Sequence, residues 1–103
     1  MASTIRVRAQ ANGASTDVQA LIQHPMDSGF VKDSSGAEIP PHHIETLTFE
    51  HDGKAVLTAD WGPAVSKDPY IKFSFKGGAK GDTMIVTWVD NLGQTDKLEA
   101  KIA

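Results

Sequence analysis

Chemistry in this sequence has to come from histidines, methionines and a few carboxylates, and most of these stand close together. His24 and Met26 are two positions apart, His42 and His43 are adjacent, and His51 and Met84 lie further along. Imidazole nitrogens beside thioether sulfurs form a donor set suited to copper. The spacing fits no zinc or iron pattern, however, and adjacent histidines on an extended chain point to opposite sides. Solvated or hydrogen-bonded loop histidines are therefore the preferred reading. Acid–base work would fall to Asp27, Asp33 and Lys32, but alternating charges on one loop make a solvated surface first. Ser28, Ser34, Ser35 and Ser66 all sit beside turn residues, where a hydroxyl serves the backbone, and no ordered nucleophile motif accompanies them. Gly77-Gly78 cradles no phosphate, since a strand rather than a helix follows. No enzyme is expected.

The chain contains no cysteine. That excludes disulfides, thiolate nucleophiles, zinc–sulfur sites and any sulfur group carried on a thiol of its own. A formal net charge of −3 over 103 residues gives no electrostatic footprint for nucleic acid or an anionic membrane. No apolar run approaches the roughly 18 residues of a membrane-spanning helix. The opening MASTIRVRAQ has two arginines with no apolar stretch behind them, so no secretory signal is expected and composition alone points to the cytoplasm.

These side chains must be positioned by strands. Residues 4–9 alternate, apolar at Ile5, Val7 and Ala9, and Asn12-Gly13-Ala14-Ser15 is a turn. Residues 18–24 form a second strand, with Val18, Ala20 and Ile22 on one face. The stretch 24–44, HPMDSGFVKDSSGAEIPPHHI, has no periodicity. Loops beyond about 12–15 residues are uncommon in a compact domain without a functional reason. Residues 44–51 put Leu47 and Phe49 on one face. Asp52-Gly53 then makes a type I′ hairpin into 54–57, pairing His51 with Lys54 and Phe49 with Val56. After an irregular Trp61–Pro69 segment, residues 70–76 alternate with Ile71, Phe73 and Phe75 inward. Residues 83–89, apolar on both faces, read as a central strand, and 94–102 as the last, with Leu98, Ala100 and Ile102 inward. Seven short strands in about a hundred residues predict one domain, 1–103, an all-β immunoglobulin-like β-sandwich. Trp88 belongs to its core. Trp61, Phe30 and Tyr70, in or beside irregular segments, have the character of interface anchors.

Three blocks, HPMDSGFVKDSSGAEIP (24–40), VSKDPYIKFSF (65–75) and VTWVDNLG (86–93), taken together resemble the SoxZ family over nearly the whole chain. The resemblance implies an immunoglobulin-like sandwich that forms the smaller subunit of a bacterial sulfur-oxidation carrier complex, the SoxYZ complex. Its partner, a SoxY-like subunit, holds sulfur intermediates on a cysteine in a glycine-rich arm, and other pathway enzymes add, oxidise and hydrolyse that sulfur. The chain would then be a non-catalytic scaffold in thiosulfate oxidation, forming a heterodimer with the cysteine-bearing subunit and meeting the pathway enzymes transiently. It would work in the periplasm, exported together with a signal-bearing partner. His24, Met26, Gly29, Lys32, Asp33, Gly36, Ile39 and Pro40 follow the family pattern. Val31 replaces a common arginine and Asp68 a common asparagine. His24, Met26, Gly29, Phe30, Lys32, Asp33, Ile39, Pro40 and Trp61 form the expected partner surface, with Met26 and Phe30 giving adaptable apolar contact and Lys32 and Asp33 a polar rim. No catalytic residue, metal or cofactor is expected. The alternative is a stand-alone periplasmic copper-binding β-sandwich using His24, Met26, His42 and His43. An adhesion or carbohydrate-binding module is a third reading, for which exposed aromatics are too few.

Overall fold

The structure, a computed structural model, describes residues 4–27, 29, 32–62, 65 and 67–103; Ser28, Phe30, Val31 and Ser66 lie outside the described residues. Among these the chain forms seven strands and no helix: β1 (Ile5–Asn12), β2 (Ser15–Ile22), β3 (Ile44–His51), β4 (Lys54–Asp60), β5 (Tyr70–Lys76), β6 (Thr83–Asp90) and β7 (Thr95–Lys101). They pair antiparallel as two sheets, β1-β2-β5 and β4-β3-β6-β7. The all-β sandwich expected from the alternation is what forms. Strand β6 lies between β3 and β7, in keeping with its apolar character. The first two strands run further toward each other than their apolar alternation indicates, because pairing continues to Asn12↔Ser15.

The inward residues of the two sheets fill one core. Val18, Ile22, Leu47, Phe49, Met84, Val86 and Ile102 are fully buried, and Phe49 meets Phe73 across the sheets edge to face, ring centroids 4.8 Å apart. Each such side chain contributes about 1.5–3 kcal/mol through the water it sheds. The β1 side of the sandwich is closed by Ala103, which exchanges backbone hydrogen bonds with Ala9 and Ala11. The Asp52-Gly53 turn has positive φ at both residues, 50° and 80°, as a type I′ hairpin requires.

Two bulges change the expected register. His51 does pair with Lys54, but Phe49 faces Leu57 rather than Val56, because one extra residue is accommodated on β4 after Ala55. A second irregularity in β3 lies between Ile44 and Thr46. Strict alternation from Leu47 would turn Ile44 outward; the extra residue turns it back, and Ile44 is fully buried. A bulge places two residues opposite one and so re-aims everything beyond it.

The two ends of the sandwich differ. One end holds tight turns around residues 13, 53 and 77–82. There His51 Nε2 bonds Asp82 Oδ2 at 2.8 Å, tying the β3–β4 hairpin to the turn before β6. The other end receives the termini Ile22, Ile44 and Asp90 of β2, β3 and β6, together with the long segment between β2 and β3. That segment is an irregular two-legged arm: Asp27 and His42 exchange backbone hydrogen bonds at 2.7 and 2.9 Å, and Lys32 and Glu38 form a second bridge.

Candidate functional site

Where β2 runs out, His24 leaves the ladder and turns inward. Its backbone is held by Asp68: His24 N–H donates to Asp68 Oδ1 (3.0 Å), and Asp68 N–H donates to the His24 carbonyl (3.0 Å). Asp68 has φ 51°, a left-handed conformation that asparagine and aspartate tolerate best among side-chain-bearing residues. An asparagine oxygen would accept the same bond, so aspartate at this position preserves the contact.

The inward turn brings His24 against two residues far away in sequence. His24 Nε2 lies 3.1 Å from Asp90 Oδ2, and His42 Nε2 lies 2.8 Å from the same oxygen. The two imidazoles meet edge to face with centroids 4.5 Å apart, and the Trp88 ring also meets His24 edge to face at 5.1 Å. The other oxygen, Asp90 Oδ1, accepts the backbone N–H groups of Leu92 (3.0 Å) and Gln94 (2.8 Å). Asp90 thus caps the β6–β7 turn with one oxygen and holds both histidines with the other. Its side chain is wholly buried, as is nearly all of His24, while His42 is 24% exposed. Burial pushes the Asp90 carboxyl up, but hydrogen bonds from His24, His42 and the two backbone amides outweigh it and hold the group below the usual carboxylate range.

The positions of the protons follow from the neighbours. His24 Nδ1 accepts the backbone N–H of Met26 (3.1 Å), so the proton of a neutral His24 is on Nε2 and points at Asp90. His42 Nε2 faces two acceptors, Asp90 Oδ2 and Gln94 Oε1 (3.1 Å), and carries a proton too. A metal bound at His24 Nε2 would displace that proton to Nδ1, against the Met26 N–H. Metal-ligating histidines instead donate their second N–H outward. The Met26 sulfur is also engaged, accepting the Ile44 N–H at 3.3 Å. His24, His42 and Asp90 do lie close enough to surround an ion, yet their donor atoms are committed to one another. The arrangement is a hydrogen-bonded node that fastens the β2 exit, the arm and the β6–β7 turn together. His51, Asp52 and Asp82 form a second close group at the opposite end, where the Asp82 carboxyl is held low by the His51 hydrogen bond and the Ala79 N–H.

Of the expected partner surface, His24 and Met26 are buried. Met26 therefore gives no adaptable surface contact; its φ of 49° folds it under the arm, where its thioether serves β3. Gly29 has φ 87°, and a Cβ there would press on the Pro41 ring. Ile39 is half-buried, and Lys32, Asp33 and Pro40 are exposed. Asp33 is not a free rim charge: Oδ1 accepts the Ser35 N–H, the Ser35 hydroxyl and the Ala37 N–H, and these bonds, the hydroxyl first, lower its pKa. Trp61 is half-buried and packs on the core. Phe30 lies outside the described residues. His43 joins through its backbone to Asn91, and its buried Nδ1 has no hydrogen-bond partner. Sequence reasoning missed Asp90, seen only as part of a turn. An aspartate at a strand end, with backbone N–H groups two and four residues on, was the available signal.

The sequence profile of the family described as "Sulphur oxidation protein SoxZ" matches residues 5–101. No curated protein sequence matches the chain. Among solved structures, the reduced superoxide reductase (neelaredoxin) of Archaeoglobus fulgidus is similar at TM-score 0.64 and 18% identity, over 98% of this chain and 89% of that one. The superoxide reductase of Nanoarchaeum equitans gives TM-score 0.62 and 16% identity over 97% and 92%. A hypothetical protein of Pyrococcus horikoshii gives 0.61 and 18% over 97% and 88%. At such identities the likeness is one of fold.

Proposed function

Since the chain belongs to the SoxZ family of sulphur oxidation proteins, we propose that it is the non-catalytic subunit of a sulfur-compound carrier complex, paired with a SoxY-like subunit that bears the sulfur-carrying cysteine. The family match over residues 5–101 carries this reading. Two features of the chain support it. Without cysteine it has no thiol on which to hold sulfur, so the carrying group has to be supplied by another chain. His24 and His42 are bonded to a buried carboxylate, which makes these two parts of a scaffold. The node fixes the base of the arm, which carries Lys32, Ile39 and Pro40. The complex would work in the periplasm, exported in company with a signal-bearing partner. Copper binding is the less favoured reading, because His24 Nδ1 and Met26 Sδ already take backbone N–H groups.

The test is co-expression with a neighbouring reading frame whose product ends in glycines around one cysteine. Light scattering behind size exclusion should give a one-to-one complex. After exposure to thiosulfate and the pathway's enzymes, mass spectrometry should find added sulfur on the partner's cysteine alone. A chain that forms no complex at micromolar concentration would refute the reading.

A further inference from the structure

The two arginines of the chain stand on the same face of one strand, and that face is turned away from the core. Arg6 and Arg8 alternate with the inward Ile5, Val7 and Ala9 of β1 and are exposed. The register sets them in two cross-strand rows. Arg6, Leu21 and Tyr70 form one; Arg8, Gln19 and Lys72 form the next. Neighbouring strands lie about 4.8 Å apart and successive outward residues about 7 Å apart. Three cationic groups therefore surround one aromatic and one aliphatic side chain within a patch roughly 10 Å by 7 Å at its base. A groove of about 280 Å³ runs between them, lined by Arg6, Arg8, Gln19, Leu21 and Tyr70. Tyr70 is 59% exposed, and Leu21 is half-buried at its side.

From this face we infer a docking surface for an acidic protein that visits the carrier complex transiently; the inference rests on the carrier-subunit reading above. Charge complementarity names the occupant. The chain as a whole is negative, −3, so a cationic cluster on it reverses the prevailing sign. Among the described residues neither arginine takes part in an ion pair; the ion pairs present there all involve histidines. The carboxylate of this face, Asp17, is one row further on and bonded to Ser74 and Asn12. The outward face of the other sheet shows no such sorting: Lys97 sits beside Thr87 and Thr48, and Glu99 and Glu50 flank Ile85.

Tyrosine and arginine are the side chains that anchor interfaces. The size of the patch speaks for a visitor rather than the permanent subunit. A stable interface covers about 800 Å² on each partner and an obligate one more, with a more apolar centre. A small cationic patch with one exposed tyrosine instead gives fast, salt-sensitive encounter.

The experiment uses the assembled complex with the cysteine-bearing subunit. Purified enzymes of the sulfur-oxidation system are the probes, and binding kinetics are read at low and at near-physiological ionic strength. The double variant Arg6→Glu/Arg8→Glu should slow association of at least one acidic enzyme by about tenfold at low salt. That gap should shrink when the Debye length falls to about 8 Å. Tyr70→Ala should speed dissociation about fivefold, and Lys97→Glu on the opposite sheet should leave both rates within about twofold. If all enzymes associate with the double variant as with the wild type, the proposal is wrong. It is equally wrong if the double variant loses the heterodimer while its melting point holds, since the face would then belong to the permanent partner. A wild-type chain that never pairs overturns the carrier-subunit reading first, before any variant is made.

Discussion

Replacing Asp90 by asparagine tests the hydrogen-bond node most directly, because it changes one atom in a site of known polarity. Asparagine keeps one oxygen, which can go on accepting the Leu92 and Gln94 N–H groups. The other oxygen becomes an NH₂ facing the Nε2–H groups of His24 and His42. His42, 24% exposed, can turn toward water, so its loss is small. His24 is 2% exposed and has no such escape. Moving its proton to Nδ1 would set it against the Met26 N–H, so either tautomer leaves one buried donor unpaired. An unpaired buried donor costs about 1–3 kcal/mol, and the lost bond was charge-assisted. The sum is about 2–4 kcal/mol, or roughly 10–25 °C in melting temperature for a domain of this size.

Differential scanning calorimetry is the assay, with Asp82→Asn at the half-buried His51 pair, 17% and 32% exposed, as a control that loses less because both partners there reach water. The pH dependence adds a second readout. The Asp90 carboxyl is held below its ordinary value, so its stabilisation is complete above the unfolded-state pKa near ~3.9 and is lost as pH falls through the lower folded value. The gap between wild type and Asp90→Asn should therefore be full at neutral pH, begin to narrow below about pH 4 and close only once the pH has passed the lower folded value. An Asp90→Asn protein melting within about 3 °C of wild type would mean that the His24 proton is misplaced, and the argument against a metal would fall with it.

Isothermal titration of the purified chain with copper and zinc should show no site tighter than about micromolar, because both His24 nitrogens, His42 Nε2 and the Met26 sulfur are already hydrogen-bonded; a tight site lost on His24→Ala or His42→Ala would contradict this. Met26→Ser should lower stability by about 2–4 kcal/mol, since it empties a buried position and removes the acceptor of the Ile44 N–H. An unchanged denaturation midpoint would place Met26 at the surface after all. Gly53→Val puts a β-branched residue at φ 80° and should cost about 1–3 kcal/mol in thermal unfolding. Affinity for the proposed cysteine-bearing partner, measured below the melting point, should stay at the wild-type value, since this turn lies at the far end of the sandwich from the arm.

The seven strands were legible in the sequence because they rest on local rules. Alternation at 70–76 follows from the period of two, and positive φ at Asp52-Gly53 follows from the hairpin the pair favours. The two bulges were not legible. A bulge interrupts the alternation of its own strand by one residue, but where it falls is set by the partner strand, so the pairing of Phe49 and the inward turn of Ile44 depended on neighbouring strands. The same holds for the site. His24 and His42 drew notice by residue type. Asp90, 66 residues from His24, did not, because nothing local distinguishes a turn aspartate from one that holds two imidazoles. Met26 and Asp33 were given surface roles by their polarity and position in the chain. The contact of Met26 with the Ile44 N–H comes instead from how the arm folds back, whereas Asp33 bonds Ser35 and Ala37, two and four residues on, in a local turn of the kind aspartate favours. Local periodicity decides which side of a strand a residue takes. Which other residue it meets there is set by how the two sheets are stacked and by where the connecting segments cross their ends, and a buried carboxylate can stay charged only when that stacking delivers donors to it.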